Sequence, residues 1–452
     1  MIKKILLASI LLPMSLFAEN AEAEIKSSET QTLETKSQPK GETPKLPEEK
    51  HFRTLSLNSS YLTSANSNRA LGDFMVEFDD GISFIIDSIP NLLGISSTFG
   101  IKLYNGLFGI LNSLKSVFIT LTPYHEYGHF SRLSSLGFKT AKFEGQYESF
   151  FPFFIYRLFK QWGSFSFVMP DPEEEKTFKL KYSDQEYNHQ EFLVYAGGLN
   201  NQNLWAEKLE ENMYLYKTHW SDFGTYFINK ISTFIYASTY KEKLDSPTPD
   251  NFDNLSDDDK AFEKIHDIRH MILNYRALGK NITSEDFRMS SIYSTAFSFS
   301  GYRYLYSFFE NSRYLKPFEF FGIKLPDTSA YYTPKGISYK ISSGYRVGEN
   351  LVFPVAIEFV AKGDKAFEST IGFYKKLPNF GDASFKGNIL ISNEGEFGGK
   401  LQVEIPVADY FYIGGGVEYY NAKTLYGMRN IPHQENKKMS DTEFWIQGGL
   451  RY

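Results

Sequence analysis

The sequence predicts an α+β protein: a mostly helical part reaching to about residue 330, then an antiparallel β-barrel of about eight strands built mainly from the C-terminal region. Three observations lead there. From residue 337 onwards, apolar and polar side chains alternate with the period of two that a strand imposes. Between residues 72 and 325 the pattern reads mostly as helix instead. Aromatic residues make up 17% of the chain, with 42 Phe and 31 Tyr but 4 Trp; rings at that density fit either an aromatic-rich core or the borders of a membrane-facing band.

At the N-terminus, Lys3 and Lys4 precede an apolar run from Ile5 to Phe17, and Ala18 offers a small residue for cleavage. Residues 1–18 therefore predict a signal peptide and an exported protein. The run is too short to span a bilayer as a helix. Residues 19–50 are rich in Glu, Lys, Ser, Thr and Pro and nearly free of large apolar side chains. Such a segment cannot offset its ordering entropy by burial, which predicts a disordered linker.

A mostly helical domain is expected over 51–330, with 51–63 as a candidate barrel strand because Leu55, Leu57 and Tyr61 share one face. Residues 81–121 are apolar but interrupted by Asp87, Lys102 and Lys115, so no clean transmembrane helix is predicted. The stretches 170–176 and 246–250 read as exposed loops, and Ser256 as a helix N-cap. The cluster Tyr156, Arg157, Lys160, Gln161 and Trp162 suits lipid headgroups or an ordinary surface helix.

The region 331–452 carries seven alternating segments. Their apolar sets begin with Ile337, Tyr339 and Ile341 and run through Phe353, Val355 and Ile357; Ile371 and Phe373; Ile389 and Ile391; Leu401, Val403 and Ile405; and Ile413 and Val417. The last segment switches parity to Phe444, Ile446, Leu450 and Tyr452. A soluble β-sandwich gives the same alternation as a membrane barrel. Strand lengths near ten residues, short turns at 348–350 and 408–409, and a long connection from Asn421 to Ser440 favour the barrel. The ending Gln447-Gly448-Gly449-Leu450-Arg451-Tyr452 resembles the C-terminal strand of bacterial outer-membrane barrel proteins. That resemblance implies an outer-membrane location with lipid as a partner; a periplasmic protein is the alternative. Such barrels have even strand numbers, so one further strand is needed, from 53–62 or 292–300.

Composition sets limits on the chemistry. The chain has no cysteine, so it has neither a disulfide nor a lipid anchor through Cys, and a zinc ion would need nitrogen and oxygen ligands. A net charge of −6 gives no support for a nucleic-acid partner.

The most specific motif is His125-Glu126-Tyr127-Gly128-His129. On a helix, residues four apart face the same way, so two imidazoles can hold one Zn2+, with Glu126 beside it as the catalytic proton acceptor. Thr122-Pro123 suits the start of that helix and Gly137 its end. A histidine pair without metal is the plainer reading of the same spacing. Together with Gly137-Phe138, a strand-like stretch to Gly145 and Ala196-Gly197-Gly198-Leu199-Asn200-Asn201, the motif resembles the site-2 protease type of zinc metallopeptidase over residues 120–210. Gly198 stands where that family has Pro, and its later Leu-Asp-Gly ligand motif is missing. The resemblance implies zinc-dependent hydrolysis of peptide bonds in envelope proteins or peptides.

A third ligand must then be found. Residues 191–211 read as a helix broken or kinked near the Gly pair, with Asn200, Asn203 and Glu207 on one face. Glu207 is the expected ligand, and His189, Glu191 and Asp267 are alternatives. His266 and His270 are also four apart, but Asp267 stands where a catalytic Glu is expected, so the pair reads as a surface feature. The competing function is non-enzymatic: an outer-membrane structural or transport protein with a structural or relic metal site.

Overall fold

The computed structural model describes residues 54–58, 121–144, 166–168, 170–240, 266–307, 309–310, 314–381, 383–408, 411–420 and 442–451, with positions 76, 79, 89, 100, 103, 104, 116, 425 and 428 between them. The expected signal peptide, the 19–50 linker, the Ser256 helix start, the 246–250 loop and the cluster at 156–162 lie outside these residues.

After a first strand, β1 (Thr54–Asn58), the motif falls on α1 (Thr122–Ser135), which carries a proline in its first turn. Its end is set by Gly137, whose φ of 90° lets Phe138 N return to Leu133 O and Gly137 N to Ser134 O. A small hairpin, β2 (Lys142–Glu144) with β3 (Ser166–Val168), leads to α2 (Pro172–Lys179). Next comes α3 (Asp184–Leu215), opened by a capping box between Ser183 and Glu186. The expected break at the Gly pair is absent, and the helix runs through Gly197 and Gly198 without interruption. Those glycines serve close approach instead. A Cβ on Gly128 would stand 2.2 Å from Gly197 O, so α1 and α3 cross backbone to backbone.

The chain continues through β4 (Thr218–His219), α4 (Trp220–Thr239), α5 (Asp267–Ala277), α6 (Ser284–Ala296), α7 (Phe299–Ser307) and β5 (Tyr314–Leu315), which pairs with β4. Two cores hold these helices. One gathers Tyr124, Trp205, Leu209, Phe223 and Tyr226; the other gathers Phe192, Leu199, Ile268, Met271, Tyr275 and Phe287 with Tyr332 and Ile337 of the sheet. None of the described helices is long and apolar enough to cross a membrane.

The remaining strands are β6 (Glu319–Phe320), β7 (Ile323–Thr333), β8 (Gly336–Val347), β9 (Leu351–Gly363), β10 (Phe367–Leu377), β11 (Ala383–Ser392), β12 (Phe397–Ala408), β13 (Phe411–Tyr420) and β14 (Thr442–Arg451). They form one antiparallel sheet in the order β1-β14-β13-β12-β11-β10-β9-β8-β7-β6. The additional strand comes from the first of the two expected places, with Thr54 opposite Arg451, whereas 292–300 is mostly helical. The sheet also starts before residue 331, at Glu319.

The expected closure into a barrel of about eight strands is not found: the ten-stranded sheet is open, and no ladder among the described residues joins β7 to β1. The reason lies along the free edge of β7. Asn200 of α3 donates to Tyr332 O at 2.8 Å and accepts from Tyr332 N at 3.0 Å, as a neighbouring strand would. Two residues back, Asn203 donates to Ala330 O at 2.9 Å. Two further back, Lys230, Ser294 and Ser298 all reach Thr328 O. Helix side chains satisfy the edge that a closing strand would otherwise take.

The two faces of the sheet are inverted relative to a water-soluble protein. Ionisable side chains on one face are buried, with Glu358, Glu368, Glu404 and Glu418 at most 4% exposed. Large apolar side chains on the other are exposed, including Ile371 at 65%, Ile389 at 63% and Phe444 at 73%. The inner face meets α3. Lys324 sits between Glu210 at 2.7 Å and Asp327 at 2.6 Å, and Lys340 pairs with Glu207 at 2.8 Å.

Candidate metal centre

His125 and His129 lie one turn apart on α1, and α5 begins beside them. Its first residue, Asp267, brings Oδ2 to 3.1 Å from His125 Nε2 and 3.3 Å from His129 Nε2. The three side chains are buried, and their donor atoms lie within 4.8 Å of one another. On its far side, the His129 Nδ1 is 2.8 Å from Val194 O of α3. A carbonyl only accepts, so Nδ1 carries the proton and Nε2 turns its lone pair to the centre. Tyr236 of α4 donates to Asp267 Oδ2 at 3.0 Å, and its ring lies 5.5 Å from that of His125.

Electrostatics follow from this packing. Burial works to raise the Asp267 pKa, but His129 and His125 outweigh it and hold the carboxyl well below its usual range. Burial likewise works to lower His129, and Asp267, Glu126 and the Val194 carbonyl together raise it. Next to the aspartate, burial lowers His266 to about 4, so it is neutral at pH 7. Glu126 is half-buried, and its charge is felt by both His129 and Tyr236.

The residues fit a metal ion on two counts. Two imidazoles and a carboxylate are a common donor set for a divalent transition metal. Gly198 of α3 also leaves room for one: a Cβ there would stand 2.4 Å from His125 Nε2 and 2.6 Å from His129 Nε2. The glycine therefore keeps open the space that both Nε2 atoms face. This buried His-His-Asp group can hold a metal ion through three protein ligands.

Of the residues expected from the sequence, the structure brings His125, Glu126 and His129 together on one helix. Glu207 is placed elsewhere, accepting from Tyr331 and paired with Lys340 of the sheet. Asp267, weighed only as an alternative, supplies the carboxylate. His189 and Glu191 lie in the first half of α3, outside the group. His266 and Asp267 are buried rather than superficial, and His270 stacks on Tyr195 with ring centres 4.1 Å apart. Tyr236 was not singled out from the sequence, since a tyrosine in an apolar helix carries no local mark.

Two further contacts lock α1 to α3. Buried Arg132 donates to Gly128 O at 3.0 Å and Asn201 Oδ1 at 2.7 Å, and Asn201 donates to Tyr124 O at 3.1 Å. No family model, curated protein or solved structure matches the chain.

Proposed function

We propose that this chain is a zinc-dependent peptidase of the cell envelope, held in the outer membrane by the lipid-facing side of its sheet. The observation that carries the catalytic half is the space that Gly198 leaves beside His125 and His129, which cluster with Asp267. His125, His129 and Asp267 are the residues that would hold zinc, a three-ligand set of the kind found in catalytic rather than structural sites. Bound there, zinc supplies Lewis acidity and lowers the pKa of a water towards neutrality. Val194 fixes the His129 tautomer and Tyr236 orients the Asp267 carboxylate. Glu126 accepts a proton from the attacking water and delivers it to the leaving amine of a peptide bond.

The inverted sheet supports the membrane half. A contiguous apolar face across seven strands is costly in water and favourable against lipid. Strands of ten to thirteen residues also suit a tilted crossing.

Elemental analysis of purified protein, wild type against His129→Ala, tests the centre first. Stoichiometric zinc that is lost in the variant supports it. Hydrolysis of an unfolded protein substrate by wild type, abolished in Glu126→Gln with zinc retained, supports the peptidase. Bound zinc with equal hydrolysis by both forms would sink the catalytic role and favour a non-enzymatic protein with a structural metal.

A further inference from the structure

The two ends of the sheet differ, and the metal centre belongs to one of them. At one end lie the turn at 348–350 and the strand ends joined by 378–382 and by 409–410, together with the last residues of β14, since Phe411 pairs with Leu450. At the other end lie the turns at 334–335, 364–366 and 393–396 and the strand ends joined by 421–441, by far the longest link within β7 to β14.

Helix α3 runs between these ends. Its last turn is anchored at the first, where Tyr214 donates to Ser343 O at 2.8 Å and Arg346 donates to Tyr214 O at 2.5 Å. Asn200, two residues past Gly198, is anchored at the second, on Tyr332 beside the 334–335 turn. Helix α5, which starts at Asp267, points to the same end: Tyr275 donates to Thr333 O at 2.9 Å, and Lys280 pairs with Asp364 at 2.9 Å. An independent contact agrees. Met428, within the long connection, packs on Leu193, the neighbour of the Val194 whose carbonyl fixes His129.

Outer-membrane sheets place short turns on the periplasmic side and long connections outside. We infer that the metal centre stands at the outward end of the sheet, so that its substrates are polypeptides at the cell surface or outside the cell. This rests on the membrane reading above and adds a side to it.

The chain has no cysteine, so single cysteines report sidedness without background. Lys365→Cys lies in an exposed turn at the metal-centre end, and Glu349→Cys in an exposed turn at the opposite end. Both would be introduced into the full chain, produced in cells with an outer membrane and treated with a membrane-impermeant maleimide. The expected result is labelling of Lys365→Cys on intact cells and of Glu349→Cys only after disruption. The reverse pattern overturns the sidedness while leaving the membrane reading intact. Equal labelling of both on intact cells also overturns it. Recovery of unlabelled wild type in the soluble fraction overturns the membrane reading itself, and the inference with it.

Discussion

At the scale of single residues, the centre depends on what Gly198 lacks. A methyl there would occupy the space that both Nε2 atoms face, yet helix geometry at that position tolerates alanine. Gly198→Ala should therefore abolish metal binding while α3 stays formed; zinc titration and far-ultraviolet circular dichroism on the same sample check both halves. The histidines were legible in the sequence because a spacing of four is local information. Asp267 could be no more than an alternative, because its approach depends on how α5 docks against α1 from 138 positions beyond His129. Glu207 lies away from the centre because of what its face of α3 meets. Asn200, Asn203 and Glu207 do share a face, but that face meets β7 and β8, whereas Gly197 and Gly198 meet α1. Helical periodicity tells which residues travel together and leaves open what they face.

At the scale of elements, side chains standing in for a strand make the β7 edge sensitive to substitution. Asn200→Leu would strand the buried Tyr332 N–H and C=O groups, at a cost of about 3 kcal/mol. Denaturant unfolding should show the loss. A second element-level contact responds to pH. Glu174 of α2 accepts from Lys139 N at 2.8 Å, from Thr140 N at 2.9 Å and from the Thr140 hydroxyl, tying the segment after α1 to α2. Partial burial works to raise its pKa, but these hydrogen bonds outweigh it and lower the pKa below 4.5. A carboxylate with a depressed folded pKa stabilises fully above its unfolded value, and the contribution fades as pH falls through the folded one. Hydrogen-exchange protection of the Lys139 and Thr140 amides, corrected for intrinsic rate, should thus fall below about pH 4.5, and Glu174→Gln should lack the transition. The strands themselves were readable, since a period of two survives any tertiary context. The continuity of α3 was not, because two adjacent glycines read as a break until their partner helix is known.

At the scale of the whole molecule, alternation gave two faces without saying which one is inside. A sandwich and a membrane sheet share the pattern, and only burial separates them. Here carboxylates and lysines line the buried side against α3, and the apolar residues are exposed across seven strands. The expected closure fails because the helices seal one sheet edge instead of forming a neighbouring domain. The inversion has a consequence that depends on depth. Ile389 lies in the middle of the sheet, paired with Ile371 on one side and Gly399 on the other, whereas Val347 ends β8 at a turn. In lipid vesicles, Ile389→Arg should cost about 2–4 kcal/mol and Val347→Arg about 0–1 kcal/mol, because a charge near the bilayer surface reaches water. Urea unfolding in vesicles measures both. A sheet whose apolar face meets water would show no such gradient, since an exposed arginine is as well solvated at mid-strand as at a turn.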